Sequence, residues 1–217
     1  MLKARIALVC NVLLAIMEPV AWCMMLFSRS DVALTAMGVY SLKYFTVLSN
    51  LLLGVASAVY AVFLVRFLRT GAVVPRGAHA FKYVATVATT VTLMTVLLFL
   101  GPTVGYPPMF VGANLWFHLI VPVAAIVELA FFDEAFGLSF RETLLGVLPT
   151  LLYGIVYCAN ILLNGVGELP YTNDWYGFTA WGVQFMPVVF AIMLLATWLF
   201  AIALRAANVR RGQGDRP

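Results

Sequence analysis

The stretch Asn114-Leu-Trp-Phe-His-Leu-Ile-Val-Pro-Val-Ala-Ala-Ile-Val-Glu128 reads as a membrane-crossing helix with one titratable group inside it. His118 is the single histidine within the chain's long apolar runs as the sequence divides them. An ionisable side chain in hydrocarbon is costly and marks a functional site by default. The plain alternative is a neutral imidazole donating to a carbonyl of a neighbouring helix. Asn114 stands one turn earlier on the same helical face. A second polar cluster, Lys43-Tyr-Phe-Thr-Val-Leu-Ser-Asn50, opens an earlier apolar run, and there Thr46 and Asn50 also share a face.

The rest of the chain has the same character. Of its 217 residues, 64% are hydrophobic and 10% charged, and the mean hydropathy is +1.00. Soluble domains average roughly 45–50% apolar and about 25% charged residues, so an all-α, polytopic membrane protein is expected. The net charge of +4 carries no nucleic-acid signal, because the basic residues gather at loops and the tail. Cys10, Cys23 and Cys158 lie in apolar runs without paired spacing and read as small hydrophobes. No cofactor and no metal are expected, since one intramembrane histidine without a His-x3-His pattern leaves too few ligands. The first apolar run has no small-residue cleavage site and reads as an uncleaved span.

A helix needs roughly 20 apolar residues to cross a bilayer core. Six runs qualify: Ala4–Phe27, Ser41–Val65, Phe81–Leu100, Met109–Phe131, Glu142–Leu163 and Phe178–Leu204. The chain therefore divides into a six-helix transmembrane domain, residues 1–204, and a basic tail, residues 205–217. Lys3, Arg5, Arg66, Arg69, Arg76, Lys82, Arg141, Arg205, Arg210, Arg211 and Arg216 fall on one side, against only Arg29 and Lys43 on the other. The positive-inside rule then makes both termini cytoplasmic in a multi-pass protein of the cell membrane. The outer segment from Gly165 to Gly177 is aromatic and acidic; Tyr171, Trp175 and Tyr176 read either as an interfacial belt or as a lid over an outward-facing pocket. The three-span halves share no motif that would mark a transporter repeat.

Depth decides which polar residues can cooperate. At the helical rise, His118 lies about 13 Å and Thr46 about 8 Å below the outer end. Glu18, Tyr153, Tyr157 and Asn160 belong to outer halves too, the last three forming an i, i+4, i+7 stripe. Their common level predicts one outer cavity holding Glu18, Thr46, Asn50, Asn114, His118 and Asn160. Each also has a packing role: Glu18 at the Pro19 kink, the asparagines between helices, the tyrosines in the core. The crowded threonines of the third run are expected to bond carbonyls one turn back, and Glu128 falls too far along to orient His118 and is placed at the cytoplasmic end. A hydroxyl and an imidazole at one level suit a nucleophile–base pair, with asparagine amides at the oxyanion.

The motifs resemble those of the androgen-induced-protein family of multipass membrane hydrolases. Lys43, Tyr44 and Thr46 match its Lys-aromatic-x-Thr motif, and Asn114, His118 and Glu128 match Asn-x3-His with a later Glu; Leu169-Pro-Tyr171 echoes a segment before its last span. Ser49 stands where the family carries an acidic residue, and Asn50 fits prokaryotic-type relatives. The resemblance implies a metal-independent threonine hydrolase, with Thr46 as nucleophile and His118 as base. The implied substrate is a fatty acid ester of a hydroxy fatty acid. Asn50, Asn114, Asn160, Glu18 and Tyr157 are then candidates for substrate or oxyanion contacts. Membrane lipids are the expected partners, the lipid ester entering sideways from the bilayer. The alternatives are a non-catalytic lipid-binding protein and a small proton-coupled transporter using the same polar cavity. A rhomboid-type protease is disfavoured, because no Gly-x-Ser-Gly occurs.

Overall fold

The computed structural model describes residues 1–27, 38–133, 137–168 and 172–214, with side chains as far as Val209. Among them are six helices long and apolar enough to cross a membrane: α1 Leu2–Phe27, α2 Phe45–Thr70, α3 Arg76–Val104, α4 Ala113–Phe131, α5 Arg141–Asn164 and α6 Val183–Val209. No strand occurs among the described residues. A helix stands at each of the six expected runs, with ends displaced by a few residues. α3 starts five residues before the expected Phe81, which brings His79 into the bundle and sets Lys82 two turns inside the helix. Helical backbone continues beyond Leu204 to Gly214. The Tyr171 motif, Arg29, Asp31, Glu134 and Arg216 lie outside the described residues.

Burial follows helical periodicity. On α1 the buried positions are Ala4, Ala7, Asn11, Leu14, Glu18, Ala21 and Met25, one stripe at three- and four-residue steps. That stripe packs on α2 and α4 around Leu14, Leu53, Ala56, Ala85, Val121 and Ala125. α3 is the central helix; Tyr83, Ala85, Val87, Ala88 and Val91 are all buried, on different faces. Its threonines bond back along their own helix, Thr86 to Lys82 O at 3.0 Å and Thr90 to Thr86 O at 2.8 Å, as expected for hydroxyls in an apolar helix. α5 and α6 close the other side, where Gly154 allows Phe190 to approach the α5 backbone. Leu152, Val156, Leu195 and Leu199 project outward from these two helices, an apolar surface of the kind lipid covers.

Two helices contain a widened π turn, Val96–Leu100 in α3 and Trp116–Ile120 in α4. Each ends two residues before a proline, Pro102 or Pro122. A proline ring removes a donor and crowds the carbonyl four residues back, here that of Leu98 or His118. Widening the turn relieves that crowding, and π turns recur at functional sites. α2 stops at Gly71, whose left-handed backbone (φ 72°) returns its N–H to Phe67 O at 2.9 Å. The end of the bundle at which α1 begins and α2 gives way to α3 is called here the terminal face. There Arg76 clamps Glu142 through Nη2 at 2.6 and 2.7 Å.

Candidate functional site

Thr46 sits in the first turn of α2. The helix begins after an extended Tyr44 whose side chain makes no cap. The exposed N–H of Phe45 donates instead to the Tyr176 hydroxyl, at 2.9 Å, from the segment before α6. The Thr46 hydroxyl and N–H also bear on that phenol oxygen. Burial pushes the Tyr176 phenol up to about 12, so it stays a neutral hydroxyl across the physiological range.

Asn50, one turn on, is fully buried. Its amide donates to Thr46 O at 2.6 Å and to Phe117 O at 3.2 Å. That second bond ties the start of α2 to the wide turn of α4 carrying His118. An amide nitrogen has two hydrogens, and both are engaged by these carbonyls. Asn50 therefore holds backbone in this arrangement and has no free donor for an oxyanion. Ser49 bonds Thr46 O at 3.1 Å and meets Thr92 of α3 at 3.0 Å.

His118 is 7% exposed, and its Nδ1 lies 2.8 Å from Met109 O. A backbone carbonyl can only accept, so Nδ1 carries the hydrogen and Nε2 keeps its lone pair. The imidazole is thus held in the tautomer that can take a proton at Nε2. Among the described residues no hydrogen bond joins it to Thr46.

The single outer cavity expected from depth is divided. A largely apolar cavity of ≈ 360 Å³ has Thr46 and Tyr157 in its wall, with Phe45, Thr95, Tyr153 and Phe190. Asn160 and Ser49 line a different cleft, on the other side of Tyr153. The amide of Asn160 donates to Asn173, at 3.1 Å, and that of Asn114 to Pro108 O, at 3.3 Å. Glu18 lies deeper, against Gly54 of α2, and neither of its oxygens has a hydrogen-bond partner. The structure therefore groups Thr46, Asn50 and the turn bearing His118, and separately Thr46 with Tyr157. It leaves Glu18, Asn114 and Asn160 apart.

Tyr176, Gly177, Phe178 and Trp181 of the segment before α6 line the cavity that holds Thr46, the placement the lid reading expects. The segment folds around Asp174, which accepts from Phe178 N and Thr179 N at 2.8 Å each, from Thr179 Oγ1 at 2.5 Å, and from the Tyr157 hydroxyl. Partial burial works to raise the Asp174 carboxyl, but the donors at Thr179, Tyr157 and Phe178 outweigh it and hold the group below the usual carboxylate value. Trp175 Nε1 donates to Tyr153 at 3.0 Å, and Lys43 lies 5.0 Å from the Trp175 ring. Asp174 is a working part of this arrangement that spacing alone does not single out. The aromatic density of the loop is its only signal in the sequence.

The bundle also holds a buried polar cluster that charge counting assigns to its ends. Lys82, counted with the loop charges, is fully buried with Nζ 3.4 Å from Glu128 Oε2. Glu128, assigned to the helix end, is fully buried as well and accepts from Asn11 at 2.8 Å. Among the described residues no three His, Cys, Asp or Glu side chains converge as metal ligands. No family model matches the chain, and neither curated proteins nor solved structures give a match.

Proposed function

We propose that the chain is an intramembrane hydrolase of lipid carboxylic esters in the cell membrane, both termini cytoplasmic, with Thr46 as nucleophile and His118 as general base. The observation that carries the reading is a threonine hydroxyl in the wall of a largely apolar cavity of ≈ 360 Å³, within the size range of small-molecule sites. The His118 tautomer, fixed by Met109 O, supports the base role. The resemblance of the Thr46 and His118 motifs to a family of membrane threonine hydrolases supports it again, and suggests fatty acid esters of hydroxy fatty acids as substrates.

In this mechanism the acyl chain enters between helices and lies in the cavity. Thr46 Oγ forms a bond to the acyl carbonyl carbon as its proton passes to His118 Nε2. The tetrahedral intermediate collapses, the ester C–O bond breaks, and the departing alcohol takes the proton from His118. Water then attacks the acyl-threonine, giving a proton to His118 that returns to Thr46 Oγ as the fatty acid leaves. Asn50 keeps the two backbone segments in register throughout. Catalytic hydrogen bonds commonly tighten only in the substrate complex, and the Thr46–His118 bond of this mechanism forms there.

The test is hydrolysis of a fluorescent acyl ester by purified protein in nanodiscs. Thr46→Ala and His118→Ala each reduce turnover to near background, the double variant is little worse than either, and Thr46→Ser keeps part of it. Wild-type turnover in Thr46→Ala removes this threonine from the chemistry. A second reading, a lipid-binding protein without turnover, draws on the contact of Thr46 with Tyr176 rather than with His118. It predicts that labelled fatty acid is retained equally by wild type and Thr46→Ala while neither hydrolyses the ester.

A further inference from the structure

Between the Thr46 site and the terminal face lies a column of buried groups that ester hydrolysis does not use. Its lower part spans four helices. Asn11 of α1 donates to Glu128 Oε1 of α4 at 2.8 Å, Lys82 Nζ of α3 lies 3.4 Å from Glu128 Oε2, and Lys82 donates to Ser57 of α2 at 2.9 Å. All four side chains have no exposed surface. Glu18 stands two turns beyond Asn11 on the same face of α1. It is 0% exposed, and Oε1 and Oε2 both lack a hydrogen-bond partner. Its stem packs against Gly54, where a Cβ would come within 2.9 Å. One turn from Gly54, the Oδ1 of Asn50 is also unpartnered. Towards the terminal face, Asp133 N–H donates to Glu128 O at 2.9 Å, and the Tyr60 hydroxyl links the Asp133 carboxylate to His79 Nδ1. Cys10, half-buried on α1, is the remaining titratable neighbour of Glu128.

The charges at the centre of this column do not balance. Asp133 has the His79 ring 3.5 Å away, but Glu18 and Glu128 face one ammonium, and that ammonium sits on Glu128. A buried carboxylate with neither a counter-charge in contact nor a donor is among the most costly arrangements a protein interior can hold. A structural ion pair accounts for Lys82 and Glu128 but leaves Glu18 unexplained. Lys82 lies within electrostatic reach of Glu18, and its flexible stem allows the ammonium to serve either carboxyl.

We propose that Glu18 and Glu128 share one exchangeable proton against Lys82, forming an intramembrane proton-binding site that opens toward the terminal face. With the ammonium on Glu128 the proton is on Glu18. When the ammonium turns to Glu18, the proton moves to Glu128, and the set of three stays neutral in both arrangements. Tyr60, His79 and Asp133 continue the path from Glu128 to that face. The ligand is a proton, and the site is independent of Thr46 chemistry.

The experiment is infrared spectroscopy of the full chain in nanodiscs at neutral pH, in H2O and D2O, reading the carbonyl stretch of protonated carboxyls. Wild type gives such a band, and it shifts in D2O. Glu18→Gln removes it, because the remaining carboxylate is balanced by Lys82. Lys82→Met enlarges it, because two carboxyls then each need a proton. No band in wild type, or an unchanged band in Glu18→Gln, overturns the proposal. A band that fails to shift in D2O refutes exchange. The wild-type measurements stand whether or not Lys82→Met folds. As a second readout, proteoliposomes carrying an internal pH dye take up protons faster with wild type than with Glu18→Gln; equal rates refute access to the terminal face.

Discussion

Replacing Lys82 by Met isolates the energetics of the buried pair. The ammonium has no exposed surface, lies 3.4 Å from Glu128 Oε2 and donates to Ser57 at 2.9 Å. Met keeps most of the stem's volume and removes the charge, leaving Glu128 with only the Asn11 amide at 2.8 Å. Removing one partner of a buried pair costs about 3–5 kcal/mol, because the group left behind must either hold an uncompensated charge or be neutralised by taking up a proton. Glu128→Gln leaves Glu18 as the one carboxyl that can answer the ammonium, so its cost should be smaller than that of Lys82→Met. The double variant Lys82→Met with Glu128→Gln removes both charges, and the new side-chain amide oxygen can still accept from Asn11. Its stability should therefore return to within about 1–2 kcal/mol of wild type, since neutral replacement of a whole buried pair is often tolerated. The assay is reversible unfolding in mixed micelles, followed by helical circular dichroism, with the four proteins forming a mutant cycle. A Lys82→Met protein within about 0.5 kcal/mol of wild type, the range of ordinary surface changes, would refute the reasoning. So would a double variant as unstable as the sum of the singles.

Two further outcomes concern the cavity and its cover. A Cβ on Gly154 would meet Phe190 Cε2 at 1.9 Å; the ring must give way, and because both residues line the cavity, Gly154→Ala should change its shape and shrink it. Turnover or retention of long acyl chains should fall more than that of short ones, and equal loss for both lengths would place the acyl group elsewhere. The Asp174 carboxyl is held below its ordinary value, so its contribution to lid stability is full above the ordinary carboxylate range and is lost as pH falls through the folded value. Trp175 fluorescence should be flat from neutral pH down to about 5 and change below the ordinary aspartate value of about 3.9. In Asp174→Asn it should already be altered at neutral pH and lose the acid transition; an unchanged acid transition there would assign it to another group.

The legible part of this chain is what depends on local composition. Hydropathy and length alone place six helices, because a membrane span satisfies its own backbone and needs no distant partner to be recognised. Helical spacing places Thr46 and Asn50 on one face, and Asn50 does bond the carbonyl of Thr46. The Tyr153 and Tyr157 pair, four apart, stacks at 6.1 Å between centroids. The back-bonding threonines of α3 follow from the cost of an unpaired hydroxyl in an apolar helix.

Only the tertiary structure decides which polar groups meet. Depth estimates fix a residue's height along its helix but leave its rotation open, so residues at one level are divided between two cavities and the helix interfaces. The wide turn before Pro122 adds a local change in rotation that a regular 3.6-residue helix does not carry. Lys82 looks like a loop charge in the sequence because α3 starts earlier than its apolar run, at Arg76. Glu128 looks terminal until Asn11, 117 residues away, is seen bonded to it. Tyr176 reaches Phe45 across 131 residues. No periodicity records such meetings, because they arise from how whole helices turn and pack against one another, and that is decided by all six at once.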